Sequence, residues 1–340
     1  MVIWEPVDSV CSAEEWDSTL LASLDGNVFQ SYAWGEFKRV SGWKPLRWLA
    51  RDKDHAVVAM AQILTKSFMG GSTIGWAPGG PVVLLPQTER DSLPVILDKL
   101  LEQLSALGKR ICVRFYSLLP HDCAMAYAFG QRCVRPIFLL NSGYSFCLDL
   151  HQPSDVLKKR MTSKHRYYVK KALAENVEWK VTTHSEGIRE LSGLHAEMVR
   201  AKGLGSLGGS FGDVATLCRI LGKQATIFTG SVNGAPVASC LVMTFGEKAF
   251  YALAATGKPG REISASYGML YQLLEYLQGQ GVTHFDFGGV NPKSPTAEGV
   301  NHFKRGFGGE LVQYLGEWEW TNSEWLRWGL NLAIRYRWRG

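Results

Sequence analysis

At 340 residues the chain exceeds what one ordinary hydrophobic core organises, so two domains are expected. Hydrophobic residues make up 46% and charged residues 20%, which excludes a disordered chain. The net charge of +6 favours an anionic partner such as a phosphate-bearing substrate, RNA or a membrane surface; it is too small for a dedicated DNA binder, and no zinc-finger or helix-turn-helix pattern occurs.

The seven cysteines, Cys11, Cys112, Cys123, Cys133, Cys147, Cys218 and Cys240, form no C-x-x-C, and several sit in apolar runs such as RICVRF and ASCLVM. Free thiols in a reducing cytoplasm are expected, without a metal or redox role. The N-terminal MVIWEPVDSVCSAEEW carries early acids and no apolar core, so no signal peptide is expected. No apolar run is long enough for a spanning helix.

In chain order, PLRWLA from Pro45 reads as a strand, RDKDHA as a turn and VVAMAQILT as the returning strand. STIGW and the turn APGGP follow. SLPVILDKLLEQLSALG then reads as a helix, with Leu93, Ile96, Leu97, Leu100, Leu101 and Leu104 at helical spacing and Gly108 as its stop. RICVRF is a buried strand.

Next comes a basic segment, SDVLKKRMTSKHRYYVKKALAENVEW, read as a helix capped by Ser154 with Leu157, Met161 and Ala172 toward the core. Its other face carries Lys158, Lys159, Arg160, Lys164, Arg166, Lys170 and Lys171, either a solvated face or a surface for RNA phosphates or a diphosphate. The Gly-rich residues 201–213 match no phosphate-loop pattern and read as a loop over a cleft.

From Gln224 the first pattern returns. QATIFTGS, a turn at Asn233-Gly234, VASCLVMTF, AFYALAAT, a Lys258-Pro259-Gly260 turn, the helix SASYGMLYQLLEYLQGQG and the strand VTHFDFGG repeat the earlier order roughly 175 residues on. This predicts an α/β (α+β) protein of two tandem GNAT-like (acyl-CoA N-acyltransferase) domains, with mixed sheets and flanking helices. In that fold a V-shaped opening between strands takes the acyl donor. The expected division is 1–150 for the first half, 151–322 for the second and 323–340 for a basic aromatic C-terminal helix.

Three segments together resemble the FemABX family. FQSYAWGEFKRVSGWKP supplies Gln30, Trp34, Lys38 and Trp43; the basic helix ends in YYVKKALAENVEW; and FDFGGVNP leads into GVNHFKRGFGGELVQYLGEW. The resemblance spans most of residues 25–320. It implies transfer of an amino acid from aminoacyl-tRNA to the side-chain amine of a peptidoglycan stem peptide, on lipid II or a UDP-linked precursor, with aminoacyl-tRNA as co-substrate and no cofactor. Two departures stand out: Glu36 where some members carry a lysine, and Tyr116 where some carry an acid.

Such a transfer needs a neutral amine, a held carbonyl and stabilisation of a developing oxyanion. The resemblance assigns the last role to Lys304, with Phe303 packing against the donor end. Asp286, on the opposite strand face from Phe285 and Phe287, orients a cleft group, pairs with Lys304, or caps the Gly288-Gly289 turn. Tyr251, Tyr267 and Arg166 are weaker substrate-binding candidates, with core packing the alternative for both tyrosines. The resemblance places Trp34 and Lys38 on the acceptor side.

SEWLRWGLNLAIRYRWRG joins four Arg to three Trp. It is expected either to dock peripherally on the inner face of the membrane or to pack as a terminal helix on the second half. Two other functions stay open: an acyl-CoA-dependent GNAT enzyme acting on a small molecule or polysaccharide, for which KPGREISASYG lacks the pyrophosphate-loop pattern, and a non-catalytic module that binds a cell-wall precursor.

Overall fold

The computed structural model describes residues 2–7, 11–23, 25–84, 92–121, 123–182, 185–202 and 211–339. They form two compact units, residues 1–144 with 313–340 and residues 145–312. The expected boundaries at 150 and 322 are therefore redrawn. The last strand and the C-terminal helix belong to the first unit, because residue 313 onward completes that unit's sheet.

Along the chain the first unit contributes β1 (Ile3–Pro6), α1 (Ala13–Leu21), α2 (Tyr32–Val40), β2 (Lys44–Arg51), β3 (Val57–Phe68), β4 (Ser72–Pro78), β5 (Val82–Val83), α3 (Leu93–Ser105), β6 (Arg110–Pro120) and α4 (Cys123–Arg132). Then come β7 (Tyr144–Asp149), α5 (Ser154–Arg160), α6 (Ser163–Ala174), β8 (Glu178–Thr182), α7 (Ser185–Lys202), α8 (Phe211–Leu221), β9 (Ala225–Val232), β10 (Ala235–Phe245), β11 (Lys248–Thr256), α9 (Lys258–Glu262), α10 (Ala265–Gly279), β12 (His284–Val290) and α11 (Glu298–Arg305). The chain ends with β13 (Glu310–Thr321) and α12 (Glu324–Arg339).

In the first unit the strands run β1-β2-β3-β4-β6-β13, with β5 on β3. All pairs are antiparallel except β4 with β6, which α3 joins as a crossover. The second unit repeats this as β8-β9-β10-β11-β12-β7, with β11 and β12 the parallel pair and α10 the crossover. The duplication read from the sequence is thus a repeat of strand order and, from β8 to β12, of strand direction.

Local chemistry explains the elements. Asn233 and Gly234 both take positive φ (49° and 78°), the mirror-image turn that a two-residue hairpin demands between β9 and β10. The leucines of α3 at helical spacing are all buried, against a core that includes Trp48, Phe115, Phe129 and Trp318. In the second unit Leu270, Leu273, Leu274 and Leu277 of α10 are buried, and the helix packs on β9 and β10.

Several local expectations change. The basic segment is two helices, broken at Met161–Thr162, where Thr162 accepts from the His165 amide and starts a new helix. Pro153, not Ser154, occupies the cap position of α5, and the Ser154 hydroxyl donates to Gln278 instead. Leu157, Met161 and Ala172 are buried as expected. The Lys258-Pro259-Gly260 turn is the short helix α9, and α3 ends at Ser105, before Gly108. Of the Gly-rich stretch read as a loop, residues 203–210 lie outside the described residues.

The C-terminal helix packs within the first unit, on β6, not on the second half. Asn331 donates to both oxygens of the buried Glu319 carboxylate at 3.0 Å, and Arg327 Nε reaches the same group at 3.0 Å. Among the described residues no helix is long and apolar enough to cross a membrane. Burial pushes the Cys112 and Cys133 thiols up to about 12, which keeps them inert.

Candidate active site in the second unit

The site is built where β11 and β12 part. They pair in parallel at Lys248 with His284, Ala249 with Phe285 and Phe250 with Asp286, and then stop, although β11 runs on to Thr256 and β12 to Val290. The cause lies on the other edge of β11. Against β10, Leu241 faces Leu253 and Val242 faces Tyr251, so Ala252 is an extra residue. A bulge of this kind bends its strand, here just past the last pair with β12.

Alternation along β12 buries Phe285 and Phe287 and turns Asp286 to the other face, as expected. Asp286 Oδ1 accepts from the Gly288 amide at 2.7 Å and from the Ser145 hydroxyl of β7. The capping alternative for Asp286 therefore holds. Gly288 sits at φ +74°, and a Cβ there would lie 2.8 Å from the Tyr251 carbonyl oxygen. Only glycine fits, on both steric and conformational grounds.

Lys304, on α11 and half-buried, donates to the carbonyls of Gly288 at 3.0 Å and Gly289 at 2.9 Å. Burial lowers its amine to about 8, against the opposing pull of the Asp286 charge. An ammonium carries three donors, so one N–H remains beyond the two carbonyls. Near neutral pH this is a fixed, mostly charged donor at the mouth of the strand opening.

Phe303 joins an aromatic cluster, its ring 5.1 Å from Tyr267, 5.2 Å from Phe307 and 6.2 Å from His165. Tyr267, near the start of α10, also meets Tyr168 at 4.8 Å and His165 at 5.0 Å, and burial raises its hydroxyl pKa. Phe303 is thus packed in an aromatic cluster next to Lys304 on α11. Tyr251 lies at the bulge, 6.0 Å from Phe285, and burial raises its pKa well above the usual phenol range, so it stays neutral. Arg166 is exposed on α6, where its guanidinium donates to the carbonyls of Lys159 and Met161 at the end of α5. That contact gives it a structural task, closing the break between the two basic helices.

Lys304, Phe303, Asp286, Tyr251 and Tyr267 thus belong to one region of the second unit. Trp34 and Lys38 belong to α2 in the first unit. Trp34 is buried against Phe29 and Phe37, its indole N–H without a hydrogen-bond partner among the described residues. Lys38 Nζ stands 4.7 Å from the Trp34 ring, 4.6 Å from Phe37 and 5.5 Å from Trp76. Glu36 pairs with the buried Arg47 at 2.9 Å and with Arg39 at 2.8 Å. A lysine at position 36 would leave Arg47 beside a second cation, so the departure goes with a local change of partner.

Two residues of the site were not read from the sequence. Ser145 is buried, and its hydroxyl lies between Asp286 and the Gly288 carbonyl, 2.9 Å from the latter. His165 is fully buried, with Nδ1 2.8 Å from the Thr162 hydroxyl and Nε2 3.0 Å from the Phe303 carbonyl oxygen. An Nε2–H donated to that carbonyl fixes the last turn of α11, and burial lowers the ring's pKa, so it stays neutral. Gly306 makes room for it: a Cβ there would fall 1.9 Å from the imidazole Cε1. The sequence signal was a Thr immediately before a basic helix with His at its third position.

Residues 215–333 match the FemAB family profile. A lipid II:glycine glycyltransferase of Staphylococcus saprophyticus is 25% identical over 111 residues, 32% of this chain and 27% of that protein. One of Staphylococcus haemolyticus is 30% identical over 95 residues, 27% of this chain and 23% of that protein. The matched segments thus span only about a quarter of these relatives' length. The crystal structure of FemX superposes with a TM-score of 0.82 over 94% of this chain and 98% of that one, at 16% identity. A tandem GNAT protein from the clavulanic acid biosynthesis pathway gives 0.54 over 95% and 99%, at 11% identity. The tandem GNAT-like fold expected from the repeat is therefore the fold observed.

Proposed function

We propose that this chain, whose residues 215–333 match the FemAB family profile and whose fold is that of FemX, is an aminoacyltransferase that moves an amino acid from aminoacyl-tRNA to the stem-peptide amine of a peptidoglycan precursor. The observation that carries the reading is the Lys304 amine, fixed over the Gly288 and Gly289 carbonyls where β11 and β12 part. A similar protein in Staphylococcus saprophyticus is a lipid II:glycine glycyltransferase, which favours a lipid-linked acceptor.

In this mechanism the ester carbonyl of the donor lies in the strand opening, and the neutral acceptor amine attacks its carbon. The oxygen that becomes negative takes the third N–H of Lys304. The two backbone carbonyls hold the ammonium in place beforehand, so little reorganisation accompanies the charge. Collapse of the tetrahedral species forms the amide and expels the ribose hydroxyl, which takes up a proton from the former amine. Phe303, Tyr267 and Tyr251 exclude water around the donor. Trp34 and Lys38 serve the acceptor, and the exposed lysines of α5 and α6 meet phosphate. The protein works in the cytoplasm at the inner face of the membrane, where such precursors are made.

The test offers a mixture of labelled aminoacyl-tRNAs and, separately, acetyl-CoA, with lipid-linked and UDP-linked acceptors, and reads products by mass spectrometry. An acceptor mass increased by one or more amino-acid residues is the expected result. An acetyl increment, or no product with any donor, overturns the reading.

A further inference from the structure

The helix α12 turns its two faces to different tasks. Arg327 and Asn331 point inward to the buried Glu319, which Arg114 also holds. Trp325, Trp328, Leu332 and Tyr336, at spacings of three, four and four, form the opposite stripe. Trp325 is 89% exposed and Tyr336 76%, while Trp328 and Leu332 are each more than half exposed. Interior packing does not account for this stripe.

The patch extends beyond the helix. Asn331 Oδ1 accepts from the amides of Ile137 and Phe138, both at 3.2 Å, and so holds the segment after α4 beside α12. Ile137 and Leu139 of that segment are exposed. Arg335 lies 5.3 Å from the Phe138 ring. Beyond the Arg327–Glu324 pair the sequence of α12 adds Arg335, Arg337 and Arg339 with no further acid. Trp and Tyr favour the boundary between headgroups and acyl chains, and arginines beside them favour anionic lipid.

We propose that α12, with Ile137 and Leu139, is a docking surface for an anionic lipid bilayer. A second copy of the chain fits less well, because a self-complementary contact would set this arginine-rich helix against itself. The surface rests on the transfer reading only for its usefulness. Binding to bare vesicles involves no donor, acceptor or chemistry.

The experiment is co-sedimentation of the full chain with phosphatidylcholine vesicles, with and without phosphatidylglycerol, beside the triple variant Trp325→Gln, Trp328→Gln, Tyr336→Gln. Those side chains are exposed, so circular dichroism and Tm should match the wild type. The wild type should partition onto vesicles containing phosphatidylglycerol, weakening with salt. The variant should bind about tenfold or more weakly, as expected when large aromatic faces no longer leave water. Equal partitioning of the two proteins overturns the proposal, as does absence of wild-type binding. So does a wild-type dimer in sedimentation velocity that the variant abolishes. Transfer to a UDP-linked acceptor should be the same in both proteins; its absence in both overturns the transfer reading and leaves the vesicle result standing.

Discussion

The two units use one strand plan in opposite ways at their parallel pair. In the first, β4 and β6 stay paired from Ser72 with Arg110 to Pro78 with Tyr116, seven residues without a break. In the second, β11 and β12 separate after three. β4 meets β3 in even register, whereas β11 carries the extra Ala252 against β10. Counted from the first parallel pair, Arg114 in the first unit stands where Gly288 stands in the second. Arg114 is buried with Glu317, Glu319 and Asn331 and fills its position; Gly288 offers a bare carbonyl to Lys304. One inserted residue and one glycine separate a closed seam from an open one.

Substitutions at the matching positions should therefore fail differently. Arg114→Met removes the buried cation shared by Glu317 and Glu319 and should lower stability by about 3–5 kcal/mol, read by urea denaturation, with turnover per folded molecule unchanged. Lys304→Met should do the reverse: kcat falls by roughly a hundredfold to a thousandfold with Tm nearly unchanged. If Lys304→Met retains full transfer, the catalytic assignment is wrong. Deleting Ala252 restores even register between β10 and β11, so the parallel pairing should lengthen. The deletion should leave a folded protein whose transfer rate drops at least as far as that of Lys304→Met; a fully active deletion would break the link between bulge and site.

Smaller effects test how the ammonium is held. The charge on Lys304 is present below about 8 and is lost as pH rises through that value. The alkaline limb of kcat/KM should accordingly fall near pH 8 in the wild type and move to higher pH in Lys304→Arg, whose guanidinium stays charged. Titration and hydrolysis of the substrates are common to both proteins and cancel in the ratio. His165→Gln should cost about tenfold in kcat with little change in KM, because it loosens the α11 turn without touching substrate. An equal loss in His165→Gln and Lys304→Met would place the imidazole in the chemistry itself.

The fold was legible because its signals are local. Alternation, the Asn233-Gly234 turn and the leucine spacing of α3 each fix an element within a few residues, and their recurrence exposes the duplication. Lys304, Phe303 and Asp286 were reachable because a family resemblance marks them. Ser145 and His165 were not, since their partners lie about 140 residues away along the chain and no local pattern encodes that meeting. The return of β13 to the first unit escaped for the same reason. The break at Met161–Thr162 was local, but Thr162 reads equally well inside a helix or at its start.

That return of β13 has a consequence for synthesis. The second unit is one uninterrupted stretch of chain, whereas the first is divided into a segment before it and a segment after it. On the ribosome the later-encoded unit holds all its strands while the earlier one still lacks an edge beside β6 and a partner for Arg114. The domain that begins first is finished last, and until β13 emerges its unpaired edge and buried cation are the parts most in need of a chaperone.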